Sequence, residues 1–191
     1  MRLFLQYVCL SVMLCSSIAV AQSAGSPPQI DKPLLAYWTF DEDLGADCIK
    51  DVSGHVDMTV QVKRDISTKQ GVYGNSLEIR GEHKLRVGAF GMTETPAIAF
   101  SVWAKPSDLS KYREMFRQEG ANRVLFSFQE NGSILSLGLD IGGYYECDAK
   151  LDPARVMDGT WHHCAATFDG RVMRVFLDGE MAGSFDRPGK I

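Results

Sequence analysis

DGTWHHCAATFDGRVMRVFLDG, residues 158–179, decides the fold class. Two runs rich in aromatic and β-branched residues, 161–168 and 171–177, are joined and closed by Asp169-Gly170 and Asp178-Gly179. Asp and Gly tolerate the positive φ that a tight hairpin turn demands, so the spacing predicts an antiparallel hairpin. Along the second run Val172, Arg174 and Phe176 fall on one face and Met173, Val175 and Leu177 on the other. That is the period-2 alternation of a pleated strand.

Strand signals recur outward from this hairpin. The run LLAYWTF at 34–40 ends at the acidic turn Asp41-Glu42-Asp43, and the turn at 51–55 precedes an alternating stretch at 58–62. A Gly-rich break at 71–75 leads into 76–79 and then 84–87, and 97–104 (AIAFSVWA) reads as a buried strand between Pro96 and Pro106. Runs 124–128 and 134–139 flank Asn131-Gly132, a strong hairpin signal that also accounts for the sequon Asn131-Gly132-Ser133. Only 109–117 carries a helix-like mixture, and it reads equally as a long loop. Many short strands with regular turns predict an all-β sandwich.

The motifs extend the reading. WHHCAATFDG with FLDG, Tyr37-Trp38-Thr39-Phe40-Asp41, the D-x-S-G turn at 51–54, GNSLEI at 74–79 and FSVWAKP at 100–106 stand in order along the chain. In these the chain resembles the laminin G-like jelly-roll domains of the concanavalin A-like lectin/glucanase superfamily. The resemblance covers nearly all of 34–191 and implies an antiparallel two-sheet jelly-roll β-sandwich. It also implies further strands after the hairpin, ending near an I-D-E-V-R-I-Y segment, whereas the sequence ends at Arg187-Pro188-Gly189-Lys190-Ile191. Either the chain is a piece of a longer product or one sheet lacks its closing strand. An open edge of unpaired N–H and C=O groups would then invite a strand from elsewhere.

Residues 1–21 are expected to be a signal peptide. Arg2 precedes an apolar run from Leu3 to Val20, and Ala19-Val20-Ala21 is a small-x-small cleavage site. Gln6, Ser11, Ser16 and Ser17 dilute the run, which argues against a permanent membrane anchor. Residues 22–33 (QSAGSPPQIDKP) read as a linker, leaving 34–191 as one domain. The net charge of −4, with scattered Lys and Arg, gives no basic stripe for nucleic acid and no basic amphipathic helix for a membrane surface. Of five cysteines, Cys9 and Cys15 would leave with the leader. Export permits a disulfide. A Cys147–Cys164 bridge between neighbouring strands and three small buried thiols with Cys48 are both open readings.

The fold hosts enzymes as well as binders and spacers, so each candidate chemistry is set against its residues. Glycoside hydrolysis needs two carboxyl groups across the scissile bond. In the superfamily's retaining glucanases these come from an E-x-D-x-E run, and no such run occurs here. Glu78 and Glu82 do not make such a run and are expected in a turn, so the chain is read as non-catalytic. His162 and His163, as strand neighbours, point to opposite faces and cannot easily share a metal. Calcium is the better metal hypothesis, with Asp41, Asp43, Asp51 and the backbone near Ser53 as ligands, against the alternative that these Asp side chains cap their own turns. For ligand binding, Gly142-Gly143 lets the chain bend and sends Tyr144 and Tyr145 to opposite sides, one inward and one outward. Trp38, Trp103 and Trp161 lie within strand patterns and read as core.

The expectation is an exported module, secreted, periplasmic or at a cell surface, that binds carbohydrate or an extracellular protein. Similar domains occur within large secreted bacterial proteins. The alternatives are a truncated accessory part of a glycan-processing enzyme and a structural spacer.

Overall fold

A computed structural model describes residues 34–41, 49–53, 66–80, 85–86, 92–110 and 112–191, and the main chain alone of 2–11, 48, 58–60 and 87. Among these residues the strands form three antiparallel sheets. The large sheet runs β15 (Glu180–Asp186), β14 (Val172–Leu177), β13 (His162–Phe168), β8 (Ile98–Pro106), β1 (Arg2–Ser11), β6 (Asn75–Arg80) and β5 (Ile66–Gln70), with β2 (Leu34–Trp38) also paired to β1. The second sheet runs β12 (Tyr144–Lys150), β11 (Ile134–Asp140), β10 (Val124–Gln129) and β9 (Arg113–Gln118). A third, small sheet joins β3 (Cys48–Ile49), β4 (Met58–Val60) and β7 (Leu85–Val87). One short helix, α1 (Pro153–Val156), lies on the link from β12 to β13.

The hairpin of 158–179 forms as its residues dictate. Asp169 Oδ1 accepts hydrogen bonds from the N–H groups of Arg171 (3.0 Å) and Val172 (2.7 Å), folding the first turn. Asp178 and Gly179 carry φ of 53° and 83°, the left-handed pair that the β14–β15 turn needs. Met173, Val175 and Leu177 are buried while Val172, Arg174 and Phe176 are half-exposed, so the alternation decides which face meets the second sheet.

The core lies between the two larger sheets. Phe100, Val102, Ala104, Cys164, Ala166, Phe168 and Val175 of the large sheet meet Phe126, Phe128, Leu135, Leu137, Leu139 and Ala149 of the second. The Phe100 ring sits 6.1 Å from Phe126 and 5.2 Å from Phe116, stitching the layers with tilted aromatic contacts. The result is an antiparallel two-sheet sandwich of jelly-roll type.

Several local expectations change. The helix-like mixture at 109–117 becomes strand β9 from Arg113 onward, because pairing with β10 and burial of Met115 override local propensity. The link at Asn131-Gly132 is a 3₁₀ turn over Glu130–Gly132, wider than a two-residue loop. Glu78 does not lie in a turn: it is inside β6, buried, paired with Arg80 (2.9 Å) and bonded by Ser67 Oγ (3.1 Å). Glu82 and the 22–33 linker lie outside the described residues, as does the expected cleavage site at Ala19–Ala21. Arg2–Ser11, expected in a signal peptide, forms the strand between β8 and β6.

Candidate binding face around Tyr144

The β11–β12 hairpin positions the two tyrosines. Gly142 and Gly143 take φ of 60° and 131°, and Gly143 N–H donates to Asp140 Oδ1 at 2.9 Å. Beyond the turn β12 alternates. Tyr145, Cys147 and Ala149 face the core, so Tyr144, Glu146, Asp148 and Lys150 share the outer face. The expected divergence of the tyrosines therefore has a definite sense. Tyr145 packs against the core, stacked on Phe185 with centroids 6.3 Å apart and covered by the Arg187 guanidinium at 3.9 Å.

Tyr144 lies half-buried across Gly138 of β11. A β-carbon at Gly138 would stand 2.6 Å from Tyr144 Cζ, so glycine supplies the recess that holds the ring flat on the sheet. The phenol donates to Glu146 Oε1 at 2.7 Å, and the Arg123 guanidinium covers the ring at 4.1 Å from its centroid. Burial, and then the neighbouring Glu146 carboxylate, push the phenol well above its ordinary pKa, so it stays a donor. Arg123 reaches Glu119 at 3.5 Å, and Arg117 pairs with both Glu119 and Glu114. Alternating charges thus run from β9 to Tyr144. Beside them Ser127 pairs in register with Ser136 and Ser136 with Asp148, whose Oδ1 accepts from Ser136 Oγ at 2.6 Å. The face offers an aromatic ring, two carboxylates and guanidinium donors, while the Ser127 and Ser136 side chains are buried within it.

Glu146 and Asp148 escaped the sequence reading. They share this outer face because strand alternation puts residues two apart on one side, and the run E-C-D within YYECDAK was the available signal. The position two further on, where a glucanase-type run would place a third carboxylate, is Lys150.

The calcium candidates hold turns. Asp51, buried, accepts from Tyr37 N–H (2.7 Å), Ser53 N–H (2.9 Å) and the Ser53 hydroxyl (2.7 Å). Asp41 Oδ1 accepts from Asn75 N–H at 2.7 Å, and Asp43 lies outside the described residues. Among the described residues no three His, Cys, Asp or Glu side chains gather as a metal site.

Of the two open readings for Cys147 and Cys164, the structure has free, buried thiols rather than the bridge between neighbouring strands. The link through α1 carries the chain from one sheet to the other, so β12 and β13 are not neighbours. Cys147 Sγ donates to Met173 O at 3.6 Å across the sandwich, while Cys164 sits in register between Val102 and Leu177.

His162 and His163 do point to opposite faces. His162 is buried between Asp178 (3.0 Å from Nδ1) and Asp158 (3.2 Å from Nε2), tying two loops together. His163 lies on the outer face of the large sheet, 2.7 Å from Ser101 Oγ and 5.1 Å from the Trp103 ring. Trp38 is core as expected, whereas Trp103 and Trp161 are only half-buried.

The architecture and the polar, tyrosine-bearing sheet face define a jelly-roll sandwich domain. The sequence profile of the Concanavalin A-like lectin/glucanases superfamily, laminin G type, matches residues 80–191, and the chain belongs to that superfamily. Among curated proteins no sequence matches the chain.

Proposed function

We propose that this domain is an exported, non-catalytic binding module whose ligand lies on the outer face of β9–β12. The observation that carries this reading is Tyr144, laid over Gly138 and flanked on one face by Glu146, Asp148 and Arg123. A sugar suits such a face: carboxylates accept from paired hydroxyls while the ring edge supplies apolar contact. An extracellular protein surface is the other ligand class, and both are open to the same screen. A glycan array and candidate proteins are probed with the wild type, Tyr144→Ala and Tyr145→Ala. Tyr144→Ala should weaken binding by about tenfold or more, roughly 1.4 kcal/mol, while Tyr145→Ala should mainly lower stability. Ligand affinity untouched by Tyr144→Ala in folded protein would refute the site, and silence across the array and the protein panel would favour a spacer.

Calcium at Asp41, Asp43 and Asp51 belongs to the same reading, since an ion bound only by the native state raises the melting temperature. A melt unchanged between EDTA and millimolar calcium retires it. An accessory role in glycan processing has one observation in its favour, the shared face of Glu146 and Asp148. Hydrolysis of a glycan that is abolished by Glu146→Gln or Asp148→Asn would replace the binding reading with that one.

A further inference from the structure

The large sheet is joined at its centre by the segment that the export reading assigns to a leader. β1 runs antiparallel to β8 on one side, and on the other to β6 over residues 2–5 and to β2 over residues 8–11. Among the described residues β1 alone links the β15-β14-β13-β8 half to the β6-β5 half.

The register matches the sequence of residues 2–11 closely. Leu3 stands opposite Pro106 and Ile79, Leu5 opposite Ala104 and Leu77, Leu10 opposite Phe100 and Ala36, and Val8 opposite Trp38. All of those partners are buried. Arg2 stands opposite the exposed Arg80, Gln6 opposite the half-buried Trp103, and Cys9 opposite the half-buried Ser101 and Tyr37. A register shift against β8 between Gln6 and Cys9 changes the parity, so positions 3 and 5 and then 8 and 10 all meet buried partners. Phe4, opposite Lys105 and Glu78, and Ser11, opposite the buried Ala99, depart from the pattern.

We propose that the gap between β8 and the β6–β2 edge is a strand-acceptor site for an extended, proline-free apolar peptide running antiparallel to β8, and that the chain's own Arg2–Ser11 is its occupant. Main-chain hydrogen bonds to two edges supply affinity, and the buried partners select the sequence. Proline is excluded because each one removes a ladder donor. Where the inference rests on the export reading, it has a consequence: cleavage after Ala21 severs β1 from the domain and converts an internal strand into an exchangeable ligand. An emptied slot would present two unpaired strand edges beside Ala104, Phe100 and Leu77, which favours refilling over an open state.

The test uses the full chain, kept from export, with a specific protease site introduced within residues 22–33. After cutting, native size exclusion with mass spectrometry should find the N-terminal fragment still bound to the body. A fluorescent peptide of residues 2–11 carrying Cys9→Ser should then exchange into the nicked protein, and the same peptide with Leu5→Pro and Leu10→Pro should not. A fragment that leaves on cutting while the body keeps the melting temperature of the uncut chain overturns the proposal, as does a labelled peptide that stays free. The export reading is tested separately, by sequencing the N-terminus of protein recovered from its native host. Retained Met1 refutes export and leaves the acceptor site to be judged by the nicking result.

Discussion

Gly138→Ala tests the candidate face through a residue that carries no functional group. Its new β-carbon would stand 2.6 Å from Tyr144 Cζ and 3.0 Å from Cε2, so the ring must swing off the sheet. Two contacts go with it, the phenol's hydrogen bond to Glu146 and the Arg123 stacking. A hydrogen bond to a charged group contributes roughly 1.5–3 kcal/mol and an exposed cation–π contact about 0.5–1 kcal/mol. Half-exposure of the ring discounts both, leaving a loss of roughly 2 kcal/mol, or about 4–8 °C in melting temperature for a chain of this size. In a Tyr144→Ala background the recess is vacant, so Gly138→Ala should be near neutral, or stabilising by about 0.4–1 kcal/mol through the unfolded chain. Urea unfolding of the wild type, both single variants and the double variant gives the cycle directly. Equal costs of Gly138→Ala in the two backgrounds would refute the seating of Tyr144 over Gly138.

Three further outcomes are expected. Reductant should leave the melting temperature unchanged, and native Cys147 should resist alkylation at pH 8, since burial and then Asp148 push its thiol to about 11; a Cys147–Cys164 crosslinked peptide in the non-reduced protein would contradict this. Burial lowers the His163 pKa below its ordinary 6.5, against the opposing pull of Asp178, so the unfolded chain binds a proton there that the folded chain refuses. Stability should therefore fall as pH drops below about 6.5 and level off below the folded value, and His163→Gln should flatten that part of a urea-midpoint profile. Asp51→Ala, which removes the acceptor of the Tyr37 N–H, the Ser53 N–H and the Ser53 hydroxyl, should cost about 2–4 kcal/mol by chemical unfolding, with Asp51→Asn costing less.

The strands most legible in the sequence are those whose own residues select them. Alternation in Val172–Leu177 and the Asp-Gly pairs at 169–170 and 178–179 needed no tertiary information, because a pleated strand and a positive-φ turn are local demands. Divergence of Tyr144 and Tyr145 was legible for the same reason. Which of them faces inward was not, because that depends on which side of β12 meets the large sheet. Glu146 and Asp148 were readable in principle through the same alternation, but they acquire meaning only beside Ser136, Gly138 and Arg123 from other strands. Residues 109–117 misled because a strand held by its partner does not have to advertise itself in local propensity.

By itself the sequence determined the class: short alternating runs and turn residues admit an antiparallel sandwich, and the ordered motifs point to its superfamily. Tertiary structure alone decided the long-range partners. It sent β12 and β13 to different sheets and left Cys147 and Cys164 free, and it set the Tyr144 ring over Gly138. It also seated Arg2–Ser11 between β8 and β6. Local pattern is set by steric limits on each residue's φ and ψ, whereas pairing between strands far apart in the chain is chosen by which edges and buried surfaces remain once every other strand has found its place.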